Sequence, residues 1–186
     1  MAENAVTRMA IVSTFIAFLA LAAISSEATT KYQFQNLKET KMVFYMHDIE
    51  AGPNFTATAV GGIPKSRMSI LAFGTVFACD DKLTEAYDWN STQVGRAQGI
   101  YVNVDLAHGS NVHFLMSLIF TNKEFNGSTL EIEGANRFNQ KYREVSVVSG
   151  TGKFRLARGF AILETVFLDQ PNSIAILRWN VTVLHY

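Results

Sequence analysis

One cysteine, Cys79, is all that the 186 residues contain, so neither an intrachain disulfide nor a four-thiolate zinc site can form. An excess of charge is missing too, because 16 lysines and arginines balance 16 aspartates and glutamates. Without a basic surplus the chain has little with which to grip a phosphate backbone, which argues against nucleic acid as a partner. Without net charge, and with 48% hydrophobic residues and only three prolines, it is not a disordered polymer. Bilayer-length apolar runs are also lacking. The run at residues 9–23 (MAIVSTFIAFLALAA) falls short of the roughly twenty residues that cross a membrane. Arg96, Glu131, Arg155 and Arg178 interrupt the later apolar segments, so no membrane association is expected.

What is present begins with a targeting pattern. Arg8 precedes the apolar run, and Ser26 and Ala28 supply the small residues that a signal peptidase needs. Residues 1–28 are therefore expected to be a secretory signal peptide cut after Ala28, and residues 29–186 the mature, extracellular domain. Its removal takes away Arg8, Glu3 and Glu27 and leaves 158 residues with 15 basic and 14 acidic side chains. Secretion gives meaning to four Asn-X-Ser/Thr sequons, at Asn54, Asn90, Asn126 and Asn180, which become candidate glycosylation sites.

The mature chain reads as short apolar segments divided by turn residues, with no helical period sustained over three turns. Strands are predicted at residues 42–49, 55–60, 73–78, 99–104, 112–121, 128–133, 143–148, 155–168 and 174–184. Breaks are predicted at Gly52-Pro53-Asn54, Asp80-Asp81, His108-Gly109-Ser110, Asn126-Gly127 and Ser149-Gly150-Thr151-Gly152, and residues 60–71 read as a long loop. Eight or nine strands on short connections imply antiparallel neighbours in a sandwich or a closed barrel. In residues 173–186 both faces carry apolar side chains, which suits a barrel whose outer wall is covered by a helix or a neighbouring subunit. An oligomer is expected.

No nucleophile elbow, metalloprotease helix or phosphate-binding loop is present, and His47, His108, His113 and His185 do not fall at metal-ligand spacing. Cys79, directly before Asp80, reads as a buried small hydrophobe. Ionisable residues inside strands say more: His47-Asp48, Arg96 and Arg143-Glu144. A charge lining a barrel must be paired or must meet a ligand. One reading is a structural pair, Asp48 or Asp81 with Arg96. The other is an aromatic-lined cavity with a few convergent polar groups, the usual build of a small-molecule site.

At these residues the chain resembles a known family. The order Phe44-Tyr45-Met46-His47-Asp48-Ile49, Asp80-Asp81-x-Leu83-Thr84-Glu85, Val94-Gly95-Arg96-Ala97-Gln98-Gly99-Ile100-Tyr101, Phe125-Asn126-Gly127-Ser128-Thr129-Leu130, the segment from Arg143 to Phe154 (REVSVVSGTGKF) and Ala157-Arg158-Gly159 is similar to that of plant dirigent proteins, over most of the mature chain. The resemblance implies an all-β, eight-stranded antiparallel barrel, a homotrimer, secretion to the apoplast and no cofactor. It further implies that an external oxidase, a laccase or a peroxidase, makes phenoxy radicals whose coupling the barrel steers to one stereoisomer.

The family's site residues carry over in part. Asp48, Tyr101 and Arg143 match the pocket aspartate, tyrosine and arginine of lignan-forming members and are the candidate catalytic residues. Asn136 stands where a second pocket aspartate falls and Asn103 where a second pocket tyrosine falls. With His47 these are candidates for substrate contact; no metal ligand is expected. The terminal cysteines of the lignan-forming branch are absent. Thr84-Glu85, Tyr142-Arg143-Glu144 and the ending Val183-Leu184-His185-Tyr186 resemble the branch that includes pterocarpan synthases. The functions implied are stereoselective coupling of radicals or trapping of quinone methides. The alternatives are dehydrating cyclisation of an isoflavanol and a defence-related phenol binder without chemistry.

Overall fold

A computed structural model describes residues 37–186 and, before them, only Ile16, Leu19 and Ala20. Those three residues apart, the expected signal peptide lies outside the described residues.

Nine strands run in chain order: β1 (Lys38–Ile49), β2 (Ala57–Gly61), β3 (Val76–Thr84), β4 (Gln93–Asn103), β5 (Val112–Phe120), β6 (Thr129–Asn136), β7 (Arg143–Thr151), β8 (Arg158–Asp169) and β9 (Ile174–His185). All pairings are antiparallel, in the order β1-β9-β8-β7-β6-β5-β4-β3-β2. A further pairing of β1 with β3, at Tyr45↔Thr84, Met46↔Leu83 and His47↔Lys82, closes the sheet into a barrel. β1 then leaves β3, and after residues 50–56 β2 takes its place along the same neighbour, from Ala57↔Cys79 onward. The two share one position, so the wall counts eight strands. Closure removes the free edges that an open sheet would expose.

Period-two alternation selects these strands. On β5, Val112, Phe114, Met116, Leu118 and Phe120 are buried and face inward, while His113, Leu115, Ser117 and Ile119 face out. On β7, Arg143, Val145 and Val147 alternate with exposed Glu144 and Ser146. One end of the barrel is plugged by rings. Phe154, fully buried on a short 3-10 turn (Gly152–Phe154), packs against Phe120, Phe125 and His185 at centroid distances of 5.7, 4.9 and 5.2 Å. The opposite end carries the ends of β1, β4 and β6 and the start of β7.

Several boundaries differ from the sequence expectation. β1 begins at Lys38, because backbone pairing with β9 runs from Lys38↔His185, past the end of the apolar run. Asp80-Asp81 is not a break: both lie mid-strand in β3, one on each face, and the turn comes at residues 85–92. The Ser149–Gly152 turn is strand as far as Thr151. Arg96 does not pair with Asp48 or Asp81. It lies on the outer wall, where its Nε and Nη2 bond the side chain and backbone carbonyl of Asp80, because residues 80 and 81 point to opposite faces. Among residues 37–186 no α-helix covers the wall, and Val43, Leu115, Phe160 and Leu184 stay exposed on it.

Phe154→Ala is expected to lower stability by about 3–5 kcal/mol, the loss typical of a deleted core ring, read from urea unfolding.

Candidate functional site

The unplugged end gathers the ionisable residues that strand alternation turns inward. Asp48, next to last on β1 and opposite Ala175, has its Oδ1 shut away from solvent without a hydrogen-bond partner. Asp81 projects inward from β3 and is fully buried. Its Oδ1 accepts a 2.6 Å bond from Thr56 Oγ1, and its Oδ2 has no partner. Tyr101, on β4, is stacked on Phe77 at 4.9 Å and lies edge-on to Phe114 at 6.1 Å. Its hydroxyl donates to Glu50 Oε1 at 3.0 Å. Phe114 and Phe44 both stack on Trp179, at 6.3 and 6.1 Å, and Trp179 Nε1 is unpartnered. The interior is thus an aromatic wall with a few polar atoms.

Arg143 opens β7, almost fully buried. Its Nε donates to Asn136 Oδ1 at 2.9 Å and its Nη1 to the Gln140 carbonyl at 3.4 Å, leaving Nη2 free. Asn136, at the end of β6, therefore orients the guanidinium.

Burial governs the protonation of this cluster. It pushes Asp48 well above the ordinary carboxylate range, with Asp81 and Glu50 adding repulsion. Burial likewise raises Asp81 to about 7, partly opposed by the Thr56 hydrogen bond. Glu50 is raised by burial against the pull of its bond from Tyr101. The Tyr101 phenol and the Cys79 thiol are pushed up by burial and by the carboxylates around them, so both stay neutral. Burial lowers Arg143, with Glu164 opposing, and its guanidinium remains a cation.

Such a site holds proton donors and one fixed cation in apolar surroundings. A neutral carboxyl can deliver a proton, and the free Nη2 can bond an oxygen that gains negative charge. Among the described residues no group of three or more His, Cys, Asp or Glu is placed to hold a metal ion. A hollow of about 270 Å³ bordered by Gln98, Ser117, Glu131 and Glu133 lies on the outer wall and contains none of these groups.

Of the residues anticipated from sequence, the structure brings Asp48, Tyr101, Arg143 and Asn136 to this end of the barrel. It does not bring His47 there. Adjacent strand residues point to opposite faces, so His47 lies on the outer face, buried there, bonded to Thr84 Oγ1 at 2.7 Å and edge-on to Trp89. Asn103 is buried at the same end with its hydrogen bonds already committed: its amide donates to the Ile70 and Gly109 carbonyls, and its Oδ1 accepts from the Asp105 N–H. It ties two loops together. Glu50 was not anticipated, since it lies one residue beyond its strand where alternation gives no signal. In sequence Asp81 reads as part of a break, or as one of two possible partners of Arg96, although its phase with Cys79 and Leu83 marks it as inward.

A family model described as "Dirigent-like protein" matches residues 39–184. The chain belongs to the dirigent family. It is 37% identical to Dirigent protein 1 of Arabidopsis thaliana over 91% of this chain and 92% of that one. It is also 35% identical to Pterocarpan synthase 1 of Glycyrrhiza echinata over 94% and 96%. A solved pterocarpan synthase dirigent protein superposes with a TM-score of 0.76 at 37% identity, covering 81% of this chain and 86% of that one. The dirigent barrel expected from the resemblance is therefore the fold found.

The raised carboxyls make a prediction with a fixed sign. Between the ordinary aspartate value of about 4 and the folded-state value of about 7, the folded state binds more protons than the unfolded one. The contribution of Asp81 to stability therefore falls as pH rises through that window and levels off above it. Asp81→Asn should flatten this slope in urea titrations across the same range.

Proposed function

We propose that this dirigent protein binds a phenol-derived intermediate inside its barrel and exposes one face of it to reaction. The intermediate is a phenoxy radical from an external laccase or peroxidase, or the quinone methide that follows coupling. The observation that carries this reading is the union of an aromatic interior with unpartnered Asp48, Asp81 and Arg143 atoms at one end. Planar rings stack on Phe77, Tyr101, Phe114 and Trp179. A quinone methide carbonyl accepts a bond from Arg143 Nη2. Asp48 protonates that oxygen as the ring regains aromaticity, and the attacking hydroxyl returns a proton to the carboxylate, so the protein ends as it began. Held in one orientation, the intermediate closes to one enantiomer.

A second reading has its own support in the named pterocarpan synthases among the relatives and in carboxyls kept neutral by burial. Here Asp48 protonates the departing hydroxyl of an isoflavanol and water leaves. The ring phenol that becomes the quinone methide carbonyl passes its proton to the Asp48 carboxylate, and Arg143 Nη2 steadies that oxygen. A second phenolic hydroxyl of the same molecule then closes the ring as Asp48 returns a proton to the carbonyl oxygen and takes the one the hydroxyl loses, so the net change is loss of one water.

Assays with and without oxidant separate the two. Phenols incubated with a one-electron oxidant and the protein should give optically active products on chiral chromatography, and a racemate from every phenol rejects the first reading. Isoflavanols without oxidant should give ring-closed product if the second holds. In whichever arm is active, Asp48→Asn is expected to cost about 10²–10⁴-fold in rate, the range for a lost general acid.

We further propose that the protein is a secreted, apoplastic glycoprotein acting as a homo-oligomer, a trimer on the family resemblance. All four sequon asparagines are exposed, Asn180 on the outer face of β9, and the apolar positions of the wall suit a neighbouring copy. Enzymatic deglycosylation of plant-expressed protein should lower its mass; an unchanged mass rejects glycosylation.

A further inference from the structure

Tyr101 has one hydroxyl proton, and the structure shows where it goes. The hydroxyl donates to Glu50 Oε1 at 3.0 Å. The backbone of Glu50 is itself fixed, its N–H bonded to the Ser173 carbonyl at 2.9 Å, so the carboxyl sits at the junction of β1 and the β8–β9 connection. Tyr101 is likewise confined, 2% exposed and in ring contact with Phe77 and Phe114. A phenol that has given its only proton away retains lone pairs alone and can only accept from anything else.

From this we propose that Glu50 is a positioning residue that makes Tyr101 a hydrogen-bond acceptor, and so selects ligands presenting a free hydroxyl at this end of the barrel. An ether oxygen placed there would face the Tyr101 oxygen with no hydrogen between them, leaving two buried acceptors unsatisfied. The other polar atoms nearby do not offer the same discrimination. Arg143 Nη2 is a donor, and a neutral Asp48 or Asp81 can donate or accept; each tolerates a ligand oxygen whether or not it bears a proton. Only the Glu50-committed Tyr101 demands a donor. The residue thereby sorts free phenols and alcohols from their methylated forms, a distinction to which the aromatic wall is blind.

The inference rests on the phenol-binding reading, and one set of titrations tests both separately. The probes are 2-methoxy-4-propenylphenol and its methyl ether, followed by isothermal calorimetry with the full mature chain. Wild type should prefer the phenol by about tenfold, the worth of one buried hydrogen bond. Glu50→Gln, whose amide oxygen still accepts from Tyr101, should keep that preference. Glu50→Leu should lose it, chiefly by binding the ether better, because Tyr101 can then turn its proton to the ether oxygen. Tyr101→Phe, which leaves Glu50 in place, should lose it as well and stands in if Glu50→Leu does not fold. An undiminished preference in Glu50→Leu or in Tyr101→Phe overturns the role of Glu50 while leaving the phenol-binding reading intact. Failure of both probes to bind wild type overturns that reading, and the inference with it.

Discussion

Burying carboxyl groups beside one another, with no cation in contact, is the constraint around which this barrel is organised. Asp48, Asp81 and Glu50 share one end of an aromatic interior, while the buried cation Arg143 makes its bonds to Asn136 and Gln140 rather than to any of them. Isolated buried charge costs several kcal/mol, so Asp48 and Asp81 hold their protons where surface carboxyls would not, while Glu50 accepts from the Tyr101 hydroxyl. The same repulsion that disfavours the fold above neutrality keeps protons available in a dry compartment. Stability and chemistry are set by one arrangement.

Asp80 and Asp81 show how finely strand alternation divides function. They are chemically identical neighbours, yet one lies outside with Arg96 and the other inside with an unpartnered oxygen. The outer pair holds the wall; the inner residue belongs to the site. An asparagine at position 136 extends the same logic, because a neutral side chain can orient the guanidinium without quenching its charge.

Much of the fold was legible because the inward positions of β5, and those from Leu177 to Val183 on β9, are apolar in strict alternation, a signal that survives without any knowledge of partners. Adjacent acidic residues looked like turn chemistry, and only the pairing of β3 with β4 shows them to be strand. His47 and Asp48 were read together because they are neighbours in sequence, although the pleat must send them to opposite faces. Asp48, Tyr101 and Arg143 were recognisable through family motifs. Glu50 was not, since its role depends on a contact with Tyr101 across 51 positions of sequence.

The short weld between β1 and β3 carries a consequence of its own. β1 pairs with β9 through twelve residues but with β3 through only three, where the strand departs and β2 takes over. A closed wall parts first where its backbone bonding is thinnest. Local unfolding is therefore directed sideways, along a seam that ends next to Asp48 and Glu50, rather than through the ring-plugged floor. The barrel is a rolled ribbon joined along a short seam, and opening that seam would leave the eight other strand pairings intact.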